Sequence, residues 1–378
     1  MRSKKTGLFT RVLCIIFVSV LVLSAAACNR TEKAKEKSST VFVDENLTIL
    51  SQYGRPDHNL LQYASDVEKF GNGICDGTEV TDDGVRIYFE EENRKAWQDR
   101  IEEAIAVHQD QFAAMGDDYR ISVSKDMAAV EFYYSPGIRL NESGEAITQT
   151  IYLSGLYQLF SGADQWQVNV RIINSDTGIT VAEGRADEAH DQWIEYDNSD
   201  WLASYPEDAV LLYYGKSFAS YFGTNVQDLY ERMHSLRDCC TSVLVLYDVE
   251  SDSREQDPVL LVYTSDEKDA VLQAISADAK DQADAFQKQA GEKYKIEYGN
   301  DFASLDIWYD AGVSDDISIP FVDNAAINAA LYRSIASDST DNWSVKLTIH
   351  EARTGEIVME ETLPEDDFRI IGQDWWKN

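Results

Sequence analysis

The chain has 378 residues, of which 44% are apolar and 26% charged, and its 67 acidic against 33 basic side chains give a formal net charge of −34. That excess of carboxylate repels phosphate backbones, so nucleic acid is excluded as a partner on field grounds and cations or basic surfaces are favoured. The length exceeds what one hydrophobic core organises and predicts two domains.

Residues 1–27 read as a secretory signal peptide. Arg2, Lys4, Lys5 and Arg11 form a cationic start, Val12 to Leu23 carries no charge, and Ser24 to Ala27 are small. Twelve helical residues rise about 18 Å against about 30 Å of hydrocarbon core, which favours a cleaved signal over a membrane span. The segment Leu23-Ser24-Ala25-Ala26-Ala27-Cys28 resembles the lipobox of bacterial lipoproteins. This resemblance covers residues 1–28 alone. It implies that the Cys28 thiol takes a diacylglyceryl group and becomes the mature N-terminus. The protein is then held at the cell membrane, its first partner, on the extracytoplasmic face.

Residues 28–40 form the anchor and tether. From Asn29 to Thr40 four cations face two acids, with no aromatic residue, as in a solvated linker. Residues 1–27 hold four cations and no acid, so their removal takes the formal charge from −34 to −38.

A first unit, 41–190, follows. A helix is predicted over Asn59–Phe70, then strands near Glu79 and over Val85–Phe89. Trp97, Ile101, Ile105, Phe112 and Met115 keep helical spacing and stop at Gly116. Strands follow at Tyr119–Ser124 and at Val130, Phe132 and Tyr134, which share one face. A helix over Ala146–Phe160 leads to the alternating Trp166, Val168, Val170 and Ile172, and Asn174 to Gly178 turns the chain into Ile179–Glu183. The turn requires positive φ at Gly178.

Residues 191–204 are an aromatic and acidic linker. With Trp193, Tyr196 and Trp201, and with Tyr205, Tyr213 and Tyr214 beyond it, this stretch is expected to pack the junction. The second unit with its tail, 205–378, repeats the first: a helix at Val226–Arg237, strands at Ser242–Asp248 and Val259–Thr264, and helical spacing at Leu272, Ile275, Ala279 and Phe286 up to Gly291. Strands at Tyr294–Tyr298 and around Leu305, Ile307 and Tyr309 come next. A helix at Asn324–Ile335 precedes a hairpin through Trp343, Val345, Leu347 and Ile349 that turns at Gly355. Trp375 and Trp376 are expected to serve the second unit as the linker aromatics serve the first.

The repeat is visible in the letters. Asp164–Gly184 aligns with Asp341–Glu361 at an offset of 177 with 8 of 21 identities, and Tyr119–Tyr134 with Tyr294–Tyr309 at an offset of 175 with 5 of 16. Chance matching yields about two identities over both blocks. The chain is therefore expected to be α+β, two tandem duplicated units of order α-ββ-α-ββ-α-ββ, each with a mostly antiparallel sheet. The order of strand, helix and hairpins within each unit resembles the GerMN domain of sporulation and germination lipoproteins; the resemblance is one of element order, without a specific motif, and carries no function over.

Chemistry leaves few marks. His58, His108, His190, His234 and His350 show no metal-ligand spacing, and neither a calcium-loop motif, a nucleophile elbow nor a phosphate-binding glycine loop occurs, so no catalytic residue, metal or cofactor is assigned. Besides Cys28, the thiols are Cys75, Cys239 and Cys240; a bridge from Cys75 to either of the others would staple the two units, while buried free thiols are the alternative. One polar feature recurs. Glu131 and Tyr133 stand on the strand face opposite Phe132, and Asp306 and Trp308 hold the same places in the second unit. An acid beside an aromatic suits a sugar ring or a cationic group. These readings point to a lipid-anchored cell-envelope protein with a non-catalytic binding or scaffolding role toward a cell-wall polymer, a peptide or another envelope protein. The alternatives are an envelope hydrolase with an acidic cleft between the units, or a sporulation or germination lipoprotein.

Overall fold

The computed structural model describes residues 38–52, 59–116, 118–135, 140–186, 196–246, 257–310 and 315–366. Cys28 and the leader, His58, His190, Trp193, Trp375 and Trp376 lie outside these residues.

The first unit runs β1 (Ser39–Asp44), α1 (Glu45–Ser51), α2 (Leu60–Phe70), β2 (Gly77–Val80), β3 (Gly84–Phe89), α3 (Arg94–Ala113), β4 (Arg120–Val123), β5 (Ala129–Tyr134), α4 (Leu140–Phe160), β6 (Asn169–Asn174) and β7 (Thr180–Arg185). A linker helix, α5 (Asn198–Ala203), follows. The second unit runs β8 (Val210–Tyr214), α6 (Lys216–Tyr221), α7 (Val226–His234), β9 (Ser242–Val245), β10 (Val259–Tyr263), α8 (Lys268–Ala290), β11 (Lys295–Tyr298), β12 (Ser304–Tyr309), α9 (Asp315–Ala336), β13 (Val345–Glu351) and β14 (Ile357–Leu363). The fold is α+β, and the same order of elements occurs twice.

Two points of the expected order are corrected. Each unit opens with a strand, β1 or β8, followed by two short helices, and each holds two sheets rather than one. Their strand orders are β1-β3-β2 with β4-β5-β6-β7 in the first unit, and β8-β10-β9 with β11-β12-β13-β14 in the second. The leading strands escape a periodicity reading for different reasons. β1 begins at Ser39 and Thr40, which composition assigns to the tether of residues 28–40, while β8 lies in the aromatic run. Tyr213 and Tyr214, read as junction residues, are strand residues; Tyr214 is buried in the second core, its hydroxyl 2.7 Å from that of Ser334.

Pairing is antiparallel except for β5 with β6 and β12 with β13. A long helix separates the members of each parallel pair, and such a crossover returns the chain to the end from which it started. The registers coincide across the repeat: Phe132 lies opposite Ile172, Ile307 opposite Ile349, and a bulge follows each, at Ile172/Ile173 and at Ile349/His350. Gly178 and Gly355 have φ of 74° and 75°, as the two turns require.

Burial follows the period-2 reading. Val130, Phe132, Tyr134, Trp166, Val168, Val170 and Ile172 lie in one core with Trp97, Phe112 and Phe160, whereas Leu305, Ile307, Tyr309, Trp343, Val345, Leu347 and Ile349 lie in another with Phe286 and Ile335. In the first core Trp97 stacks on Phe160 at 4.5 Å. The linker aromatics divide between the cores. Trp201 packs edge-on against Tyr134 at 5.2 Å, and Tyr205 covers Leu244, Leu260 and Val262 on the outer face of the second unit's three-stranded sheet.

Of the two readings of the cysteines, the structure has the thiols and not the bridge: Cys75, Cys239 and Cys240 are free. Cys75 and Cys240 hold corresponding places just before β2 and β9. The Cys75 thiol donates to the Gly77 carbonyl at 3.6 Å, and that of Cys240 lies 3.2 Å from the Leu236 carbonyl and 3.7 Å from that of Ser242. Residues that repeat one position in two separate cores have no reason to meet. Burial pushes both thiols up, Cys75 to about 11 and Cys240 to about 12, which keeps them protonated and slow as nucleophiles.

Candidate functional site

Alternation along β5 and β12 turns Val130, Phe132, Leu305 and Ile307 toward the helices and leaves Glu131, Tyr133, Asp306 and Trp308 half-exposed on the outer face. The structure places each sequence-derived pair on one strand, but on separate sheets, so the four residues make two sites rather than one.

In the first unit the Tyr133 hydroxyl donates to Glu131 Oε2 at 2.7 Å. Arg171, directly opposite Glu131 on β6, forms an ion pair with it. Arg120, directly opposite Tyr133 on β4, lays its guanidinium 3.6 Å from the ring centroid. The second unit repeats the plan with other side chains. Lys295, opposite Trp308 on β11, holds Nζ 4.0 Å from the indole centroid, and His350, opposite it on β13, stacks on the indole at 4.3 Å and 5°. His350 Nε2 lies 3.0 Å from Asp306 Oδ1.

Each unit thus carries an acid, an aromatic ring and a cation in a cross-strand ladder. Pairs of this kind contribute about 0.2–1 kcal/mol each. The geometry also restricts chemistry. β12 lies between β11 and β13, so the two faces of the Trp308 indole are occupied by Lys295 and His350, and a sugar ring would have to displace one of them to stack. Carboxylate oxygens, the guanidinium edges and the Lys295 ammonium stay at the surface. Such a set matches charged and polar side chains of a protein or peptide better than the flat face of a glycan.

Arg120, Arg171, Lys295 and His350 were not singled out by sequence. For Arg120 and Lys295 a signal existed: the offset of 175 that pairs Tyr133 with Trp308 pairs these two cations as well. Arg171 and His350 belong to strands whose register is set by the crossover helices, and no local pattern reveals it. Among the described residues, no group of three His, Cys, Asp or Glu side chains is arranged to hold a metal ion, and no helix is long and apolar enough to cross a membrane. No protein-family model matches the chain, and no curated protein or solved structure matches it.

Proposed function

We propose that this is a lipid-anchored extracytoplasmic protein whose two units present their outer sheet faces to a protein or peptide partner in the cell envelope, without catalysis. The observation that carries the reading is the recurrence of the acid, aromatic and cation ladder on both four-stranded sheets, at repeat-equivalent positions whose exposed sides no core demands. Segment 1–28 supports the membrane address, and the charge of −34 favours a partner with basic residues.

The test has two arms. A photo-crosslinking residue at Tyr133 or Trp308, in cells that make the full chain, should trap one partner, and Arg120→Ala with Lys295→Ala should reduce that yield. Crosslinks that are absent, or indifferent to both replacements, defeat the binding reading. Cys28→Ser should release the chain from the membrane fraction; retention there would refute the lipid anchor.

A further inference from the structure

The two units meet through a small polar joint with a carboxylate at its centre. Asp176 lies in the turn between β6 and β7, its side chain 5% exposed. Its Oδ2 accepts a hydrogen bond from the Ser242 hydroxyl at 2.6 Å, at the start of β9. Its Oδ1 lies 3.7 Å from the Arg237 guanidinium, which holds Asp118 of the first unit at 2.7 Å. Thr177 donates to the Ser204 carbonyl at 2.9 Å, and the Tyr205 hydroxyl donates to Ser242 Oγ at 3.3 Å. The corresponding corner of the second unit is different: Asp118, Ser135 and Asp176 are replaced by Lys293, Asp310 and Arg353, which pair with one another instead of with another unit. The carboxylate joint is therefore peculiar to the contact between the units.

We infer that this joint is a proton-responsive latch: uptake of a proton at Asp176 holds the two units together, and its loss loosens them. A small, polar contact between domains is one across which relative motion is the default. The groups facing Asp176 are Asp118 and Tyr119 from the segment before β4, Tyr205 from the linker, and Arg237 and Cys240 from the segment before β9. Burial raises the carboxyl above its ordinary value and Asp118 adds to this, whereas Ser242 and Arg237 act in the opposite sense. With the units apart, Asp176 faces water and returns to its ordinary value. The docked form thus holds the proton more tightly, so docking is favoured at low pH and weakens as pH rises toward the raised value. The movement would change the angle between the two outer sheet faces.

Hydrogen exchange read by mass spectrometry on the full chain between pH 4.5 and 8, corrected for intrinsic exchange, tests this. Protection of segments 174–178 and 237–243 should fall together with rising pH, by up to about tenfold per pH unit between the ordinary and raised carboxyl values. Asp176→Asn, which keeps an acceptor for Ser242 and carries no charge, should flatten the profile at the protected level. Arg237→Gln removes the cation that favours ionisation and should move the midpoint upward. Protection that is constant with pH in the native chain, or equally pH-dependent in Asp176→Asn, overturns the latch. Exchange from the α3 and α8 helices reports any general loss of folding and separates it from opening of the joint.

Discussion

Replacing Asp310 measures how a buried carboxylate supports the second unit, and the first unit supplies its own control. Asp310 is 1% exposed and accepts from the Tyr294 hydroxyl at 2.8 Å, from Lys293 Nζ at 2.7 Å and from Arg353 Nε at 2.9 Å. Asp310→Ala strands the hydroxyl of Tyr294, itself 5% exposed, at a cost of about 1–3 kcal/mol. The cations are 43% and 65% exposed, so solvent screening makes the loss of each ion pair small beside that of the tyrosine contact. The stranded hydroxyl dominates, so the expected destabilisation is about 1–3 kcal/mol. In the first unit Ser135 stands in this place, 2.7 Å from the Tyr119 hydroxyl. Asp310→Ser should therefore restore the tyrosine contact and lose only the screened ion pairs, so it should be clearly more stable than the alanine variant. Urea denaturation of the full chain, followed by tryptophan fluorescence and fitted separately for each unit's transition, gives both values. If Asp310→Ala costs under about 0.5 kcal/mol, or the serine variant is no more stable than the alanine one, the reasoning fails.

Gly155→Ala gains helix propensity, worth about 1 kcal/mol, but its Cβ would meet Leu47 at 2.8 Å and Trp166 at 3.0 Å; overpacking at about 1–3 kcal/mol should win, and a variant that melts higher than the native chain would show that α1 yields. Burial lifts the Asp323 carboxyl to about 6. The folded state therefore binds this proton more tightly than the unfolded chain, so the associated stability is complete below the unfolded value and is lost as pH rises toward 6. Asp323→Asn should accordingly raise the melting temperature at pH 7.5 relative to the native chain more than it does at pH 4, and an equal effect at both would contradict the assignment. Cys75 and Cys240 should react with a thiol reagent at pH 8 far more slowly than a free cysteine, and fully once denatured; fast native labelling of either would contradict its burial.

Much of this architecture was legible in the letters because it follows from local rules. Alternation along Val130–Tyr134 and Leu305–Tyr309 identified the buried faces, helical spacing located α3 and α8, and Gly178 and Gly355 marked turns that demand positive φ. The repeat exposed Glu131, Tyr133, Asp306 and Trp308 as equivalent positions. Sequence likewise determined the charge and the resemblance of residues 1–28 to a lipoprotein signal.

Tertiary structure decided which strands are neighbours. β1 pairs with β3 and β8 with β10 across intervening helices, and no period within six or five residues reports a partner so far along the chain. Register decided that Arg171 meets Glu131 and that His350 covers Trp308, so these side chains form a cross-strand ladder. It also decided the fate of the cysteines: Cys75 and Cys240 share a position within the repeat but belong to different cores, so the chain keeps them apart. Local preferences specify elements, whereas contacts between distant segments depend on packing energies summed over the whole core, and the joint at Asp176 arises only from that sum.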